Sequence, residues 1–110
     1  MVIEWLQFRV NEDAREEFVE RDRAIWTTAL AKYPGFEKKD VWISPEDPNE
    51  VICVVYWETM DQWKSIPVSD LEAIETEFQE TMGNRYKLLD VKTYNSMLEL
   101  SVAAILETAE

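Results

Sequence analysis

Apolar positions change their spacing several times along the chain, and each change marks an element. Over residues 2–10, Ile3, Trp5, Gln7 and Arg9 alternate with Val2, Glu4, Leu6, Phe8 and Val10, the period of two expected of a β-strand. Asn11 is a good N-cap, and Glu12 and Asp13 place negative charge at the positive end of the helix that follows. The spacing predicts that helix over about residues 12–33. Ala14, Phe18, Ile25 and Ala29 form its apolar stripe, widened by Trp26, Leu30 and Tyr33. Arg15, Glu16, Glu17, Glu20, Arg21, Asp22 and Arg23 fall to its solvated face. Tyr33-Pro34-Gly35 ends it.

A second strand is predicted over residues 36–44, with Val41, Trp42 and Ile43 as its apolar part. Pro45-Glu46-Asp47-Pro48-Asn49 reads as the turn of a hairpin, and its acids belong to that turn. Residues 51–57 carry no charge, and both faces of this third strand are apolar: Val51, Cys53, Val55 and Trp57 on one, Ile52, Val54 and Tyr56 on the other. Thr59-Met60-Asp61-Gln62 reads as a capping box opening a short helix that carries Trp63 and stops at Pro67. Ser69-Asp70-Leu71-Glu72 reads as a second box, opening a helix over residues 70–82 with Leu71, Ile74, Phe78 and Met82 as its stripe and Gly83-Asn84 as its stop. The last strand is predicted over residues 86–94. Leu98, Val102 and Ile105 then fall at helical spacing in the tail.

The order strand, helix, strand, strand, helix, strand predicts an α+β fold, a ferredoxin-like βαββαβ sandwich with an antiparallel sheet. Residues 1–96 form that domain and residues 97–110 a C-terminal helical extension of it. In this topology the first and third strands are central and the helices cover one sheet face. An antiparallel sheet with one wet face shows clean alternation, and the third strand does not. A second sheet from a homodimer, or the tail folding back, would supply the missing cover.

Composition narrows the chemistry. The formal net charge is −12, a field that repels phosphate backbones and anionic lipid, so neither nucleic acid nor a membrane surface is expected as partner. The N-terminus lacks the basic start of a signal peptide, no run approaches a membrane span, and a cytoplasmic protein is expected. With no histidine and one cysteine, Cys53, the usual zinc, haem-histidine, Ser-His-Asp and Cys-His sites are not expected, and Cys53 reads as a small buried hydrophobe. No metal and no cofactor is anticipated.

A few residues remain as candidates for ligand contact. Glu4 shares its alternation set with Leu6 and Phe8. Facing a pocket, its carboxyl would have a raised pKa and could serve as a base; at a strand end it would reach water. Trp63 can stack a planar ligand or fill core. Tyr56, Tyr86 and Tyr94 can donate to a ligand or to backbone. Arg9 and Arg85 can hold an anion or pair with the many acids.

Tyr33-Pro34-Gly35-Phe36, Trp42-Ile43-Ser44, and Val54-Val55-Tyr56-Trp57-Glu58-Thr59 with Trp63 six residues past Trp57 resemble the dimeric α+β barrel superfamily. Within it they are similar to the antibiotic-biosynthesis-monooxygenase (ABM-like) branch and to small cyanobacterial proteins of that kind. The resemblance spans about residues 1–94. It implies a homodimer and a pocket between helices and sheet, lined by Glu4, Trp63 and Tyr56. Haem-degrading members use a histidine, a first-strand asparagine and a helix tryptophan. Here there is no histidine, Glu4 falls near the asparagine position, and Ile66 is the tryptophan's counterpart. The resemblance thus implies small-molecule binding, of an apolar or aromatic ligand, or cofactor-independent oxygenation. The alternative is a non-catalytic dimeric interaction or regulatory module, in which the aromatics only fill core and interface.

Overall fold

The computed structural model describes residues 1–97. Four strands form one antiparallel sheet: β1 (Val2–Val10), β2 (Phe36–Ile43), β3 (Glu50–Trp57) and β4 (Tyr86–Asn95). Their spatial order is β2-β3-β1-β4, so the two most apolar strands are central, as expected of the split-βαβ arrangement. A helical segment over residues 12–30 (α1), a short helix α2 (Met60–Lys64) and a long helix α3 (Val68–Met82) complete the α+β sandwich. The anticipated tail helix lies outside the described residues.

The register assigns each strand residue to a face. Opposite Val55 on β3 stand Glu4 on β1 and Lys39 on β2, and opposite Cys53 stand Leu6 and Val41. These face the helices. Ile3, Trp5 and Gln7 pair with Tyr56, Val54 and Ile52 on the other face, joined there by Trp42. Two bulges adjust this pattern. One interrupts β1–β4 pairing between Gln7 and Phe8. The other, between Phe36 and Lys38, adds a residue to β2, so that Phe36 and Lys39 both reach the helical side although an odd number of positions separates them. Without the bulge, Lys39 would point the other way.

α1 is not a uniform α-helix. A 3-10 turn (Glu12–Ala14) leads into α-helix (Arg15–Arg21), a π-helical stretch (Asp22–Thr27) and a last α turn (Thr28–Leu30). The Thr28 hydroxyl donates to the Arg23 carbonyl at 3.0 Å. This segment corrects the sequence reading at Asp22, placed there on the solvated face. Asp22 is buried, at 4% exposure, because it lies four residues after Phe18 and shares its inward face. Arg15, Glu16, Glu17, Glu20 and Arg23 do stand at or near the surface.

Two further local findings concern caps. Thr59 caps α2 as expected, its hydroxyl accepting from the Gln62 amide at 3.1 Å. The second capping box does not form. α3 starts at Val68 with Pro67 at the N-cap, and the Pro67 carbonyl accepts the Asp70 and Leu71 amides at 3.0 and 3.2 Å. Ser69 lies inside the helix, and Asp70 instead accepts the Tyr33 hydroxyl at 2.6 Å. That bond ties α3 to the Tyr33-Pro34-Gly35 turn. Gly35 has φ +91°, and a Cβ there would clash with the Gln62 side chain, so glycine is required both by backbone and by space.

Two core clusters lie on the helical side, while Ile52 and Val54 are buried on the outer face. Val10, Ala14, Phe18, Val51, Cys53, Phe78 and Met82 form one. Val2, Leu30, Val55, Trp57 and Ile66 form the other.

A candidate ligand cavity between helices and sheet

The two core parts do not close on each other. Between them lies a cavity of about 830 Å3, within the range of small-molecule sites. Its floor is the inner face of the central strands, with Glu4, Leu6, Val55 and Trp57. Its roof comes from α1, α2 and α3, with Trp26, Trp63 and Phe78 among the lining.

Charged groups converge in this apolar space. Glu4 accepts from the Trp57 indole N–H at 3.4 Å. Burial pushes its carboxyl above the ordinary carboxylate value, and the indole bond and the Lys39 and Lys64 charges offset this only in part. Across Val55, Lys39 Nζ stands 2.6 Å from Asp22 Oδ2, with side-chain exposures of 4% and 6%. Burial also pushes the Asp22 carboxyl up, against the pull of Lys39. The Cys53 thiol donates to the same Asp22 oxygen at 3.9 Å. Burial first, then the neighbouring Asp22, pushes that thiol up to about 12. It is therefore held as S–H and is a poor nucleophile or metal ligand. At the far end Tyr86 donates to Glu75.

The anticipated residues separate into two groups. Glu4 and Trp63 both line the cavity, and Lys64 Nζ covers one face of the Trp63 ring at 4.0 Å from its centroid. Tyr56 does not line it. It stands on the opposite sheet face, opposite Ile3, and its hydroxyl donates to Asp40 at 3.1 Å. Tyr94 shares that outer face, whereas Tyr86 is in the cavity. Arg85 pairs with Glu17 at 2.6 Å. Among the polar lining residues that the sequence reading passed over, Asp22 and Lys39 form the buried pair. Asp22 carried a signal, since it interrupts the stripe Ala14, Phe18, Ile25 at the one position where an apolar residue is due. Lys39 carried none, because the bulge that turns it inward leaves no mark in β2's composition.

Residues 1–66 match the family antibiotic biosynthesis monooxygenase. The chain belongs to that family. Solved structures agree in fold. A candidate antibiotic biosynthesis monooxygenase from Nitrosomonas europaea is 19% identical, with 89% of this chain and 100% of that chain covered and a TM-score of 0.62. SnoaB, a cofactor-independent oxygenase from Streptomyces nogalater, is 14% identical over 90% and 95% of the two chains, with a TM-score of 0.60. MhuD, a haem degrader from Mycobacterium tuberculosis seen with two haems in its active site, is 16% identical over 92% and 100%, with a TM-score of 0.68. No curated protein matches the sequence. At these identities the likeness establishes the fold.

Haem held by a histidine or a cysteine thiolate does not fit the residues of this cavity. The sequence has no histidine, Cys53 is held as the thiol, and among the described residues no three His, Cys, Asp or Glu side chains group as a metal site.

Proposed function

We propose that the chain binds a planar apolar or aromatic molecule in this cavity and oxygenates it without a cofactor. One observation carries the reading: an apolar cavity of about 830 Å3 that encloses a carboxyl, Glu4, whose affinity for a proton is raised by burial. Such a group is suited to take a proton from a weakly acidic ligand near neutral pH. A ligand with an activated methylene group would then supply all the electrons. Glu4 takes one proton, the carbanion reduces O2, one oxygen atom becomes the product carbonyl and the other leaves as water with the two methylene hydrogens. SnoaB, described as a cofactor-independent oxygenase, supports this over haem chemistry. A non-catalytic module would be expected to fill this space with side chains.

The reading includes a homodimer. The outer sheet face carries Trp42 and Tyr94, each 49% exposed, beside Trp5 and Ile3. Such a stripe on two copies would bury a standard interface of roughly 1,600 Å2. A cytoplasmic location fits the −12 charge, and no helix among the described residues is long and apolar enough to cross a membrane.

Two experiments test the reading. Anaerobic and aerobic incubation with planar ketones bearing an acidic methylene should show O2-dependent conversion that Glu4→Gln slows by about 10²-fold or more, the usual contribution of a general base; equal rates in both proteins would remove Glu4 from the chemistry. Light scattering should give twice the 13.0 kDa chain mass, with and without residues 97–110. A mass of one chain would refute the dimer.

A further inference from the structure

The mechanism above leaves the buried Asp22–Lys39 pair unused. Its position is specific. Glu4, Val55 and Lys39 form one row across β1, β3 and β2, so the backbone positions that carry the carboxyl and the ammonium are two strand spacings apart, about 10 Å along the sheet. Val55, with no polar atom in its side chain, lies between them, and all three line the cavity. An ammonium has three N–H donors. Asp22 takes one at 2.6 Å and leaves the group able to donate to a ligand as well. The pair is also held in place from behind, by the π-helical stretch that begins at Asp22 and by the bulge that turns Lys39 inward. π-helical turns recur at functional sites.

We propose that Lys39, positioned by Asp22, is the oxyanion-binding group of this cavity, and that the ligand is a planar molecule with an enolic or phenolic oxygen, lying across Val55 and held as its anion. This rests on the small-molecule reading given above and adds the class of functional group recognised. The proton balance is simple: the ligand O–H or adjacent C–H bond breaks, Glu4 takes the proton, and the negative charge stays on the ligand oxygen beside Lys39. Neutralising a buried carboxylate while placing an anion beside a buried ammonium keeps the charge in the cavity constant. The groups facing Lys39 are Asp22 from α1, Glu4 from β1 and the Cys53 thiol from β3, with Lys64 of α2 acting on Glu4. Carboxylated aromatics are disfavoured, because they bring a fixed charge that Glu4 cannot take up as a proton.

The test compares 2-naphthol with naphthalene, a pair that differs only in the hydroxyl. Equilibrium dialysis measures binding, and the absorbance of the bound naphthol against pH measures its ionisation. With the wild-type protein both should bind, and bound naphthol should ionise at least about one pH unit below free naphthol, which is about tenfold in the equilibrium. Lys39→Met alone would strand a buried carboxylate, so the informative variant is the double replacement Asp22→Asn with Lys39→Met, which removes both charges together. It should still bind naphthalene and should lose the shift. Glu4→Gln should keep the shift but release protons to the buffer when naphthol binds at a pH between its bound and free ionisation midpoints, detectable by calorimetry in buffers of different ionisation heat. Naphthol and naphthalene both bound but no shift in the wild-type protein would overturn the oxyanion site and leave the cavity reading intact. A shift that survives the double replacement would overturn the role of Lys39. Failure of both compounds to bind would overturn the cavity reading and this inference with it.

Discussion

The inner face of the sheet has two ends that are equally aromatic and differently built. At one end Phe8, Phe18, Phe78 and Tyr86 pack ring against ring, with centroids 5.0 to 6.4 Å apart. At the other, Trp26, Trp57, Trp63 and Phe36 surround charged side chains, and among them one ring pair is close, Phe36 with Trp57 at 5.8 Å. The first end packs its rings against one another even where they line the cavity. The second leaves ring faces and edges to Glu4, Lys64 and open space. Aromatic content does not by itself mark a binding site, since it is as high where the molecule is simply packed. What distinguishes the second end is buried charge, which costs free energy unless it is paired or used.

The largest effect expected is at the packed end. Phe18 is 1% exposed and touches three other rings, so Phe18→Ala should cost about 3–5 kcal/mol of stability, read as a drop in the urea midpoint. A loss under ~1 kcal/mol would mean that these rings hold one another no more tightly than the sparser rings of the other end, and the comparison would break. At the charged end, Asp22→Ala leaves the Lys39 ammonium buried without its partner, and about 3 kcal/mol is expected. Adding Lys39→Met should recover a good part of that loss. A double variant no better than the single would show that the pair contributes through packing and not through charge.

Trp63→Ala sharpens the contrast further. Trp63 is only half-buried, so its loss should cost less than the ~3–5 kcal/mol of a fully buried aromatic while lowering naphthalene affinity by up to about tenfold, the weight of one good aromatic contact in a pocket. Thermal melting and dialysis on the same sample separate the two. A large stability loss with unchanged affinity would make Trp63 core.

Much of the fold was legible because its signals are periodic. The alternation of β1, the uncharged run of β3 and the stripe of Leu71, Ile74, Phe78 and Met82 each point to an element that is present. The order of elements placed β1 and β3 at the centre of the sheet. Half of the charged site was legible too: Glu4 stood out as an acid among apolar neighbours. Lys39 did not, because its orientation depends on a bulge, an event in the pairing of two strands that neither strand's sequence displays. Asp22 was legible only as a defect in a stripe, and charged neighbours on both sides hid it. Ser69 misled for a different reason. A capping sequence sits there, but the proline two positions earlier already sets the backbone for helix entry, and the helix starts sooner.

The smallest effect concerns pH. Glu4 has a folded pKa above its ordinary 4.5, mainly through burial. The folded state therefore holds a proton that the unfolded chain has already released. Stability is unaffected below the ordinary value, falls as pH rises from there through the folded pKa, and is level above it. Asp22 is shifted in the same direction for the same first cause, so the two buried acids contribute slopes of one sign. Glu4→Gln keeps an oxygen that can accept the Trp57 indole N–H and removes one of the two titrations. Urea unfolding at a series of pH values should then show the variant level with the wild-type protein at the acid end of the window and more stable than it at neutral pH. The remaining fall would belong to Asp22, and Asp22→Asn with Lys39→Met, added to Glu4→Gln, should remove it and leave the opposite slope of the arginine-paired Glu17 and Glu20. A Glu4→Gln protein that is less stable at neutral pH would place Glu4 among groups stabilised as carboxylates and would remove the reason to regard it as the cavity's base.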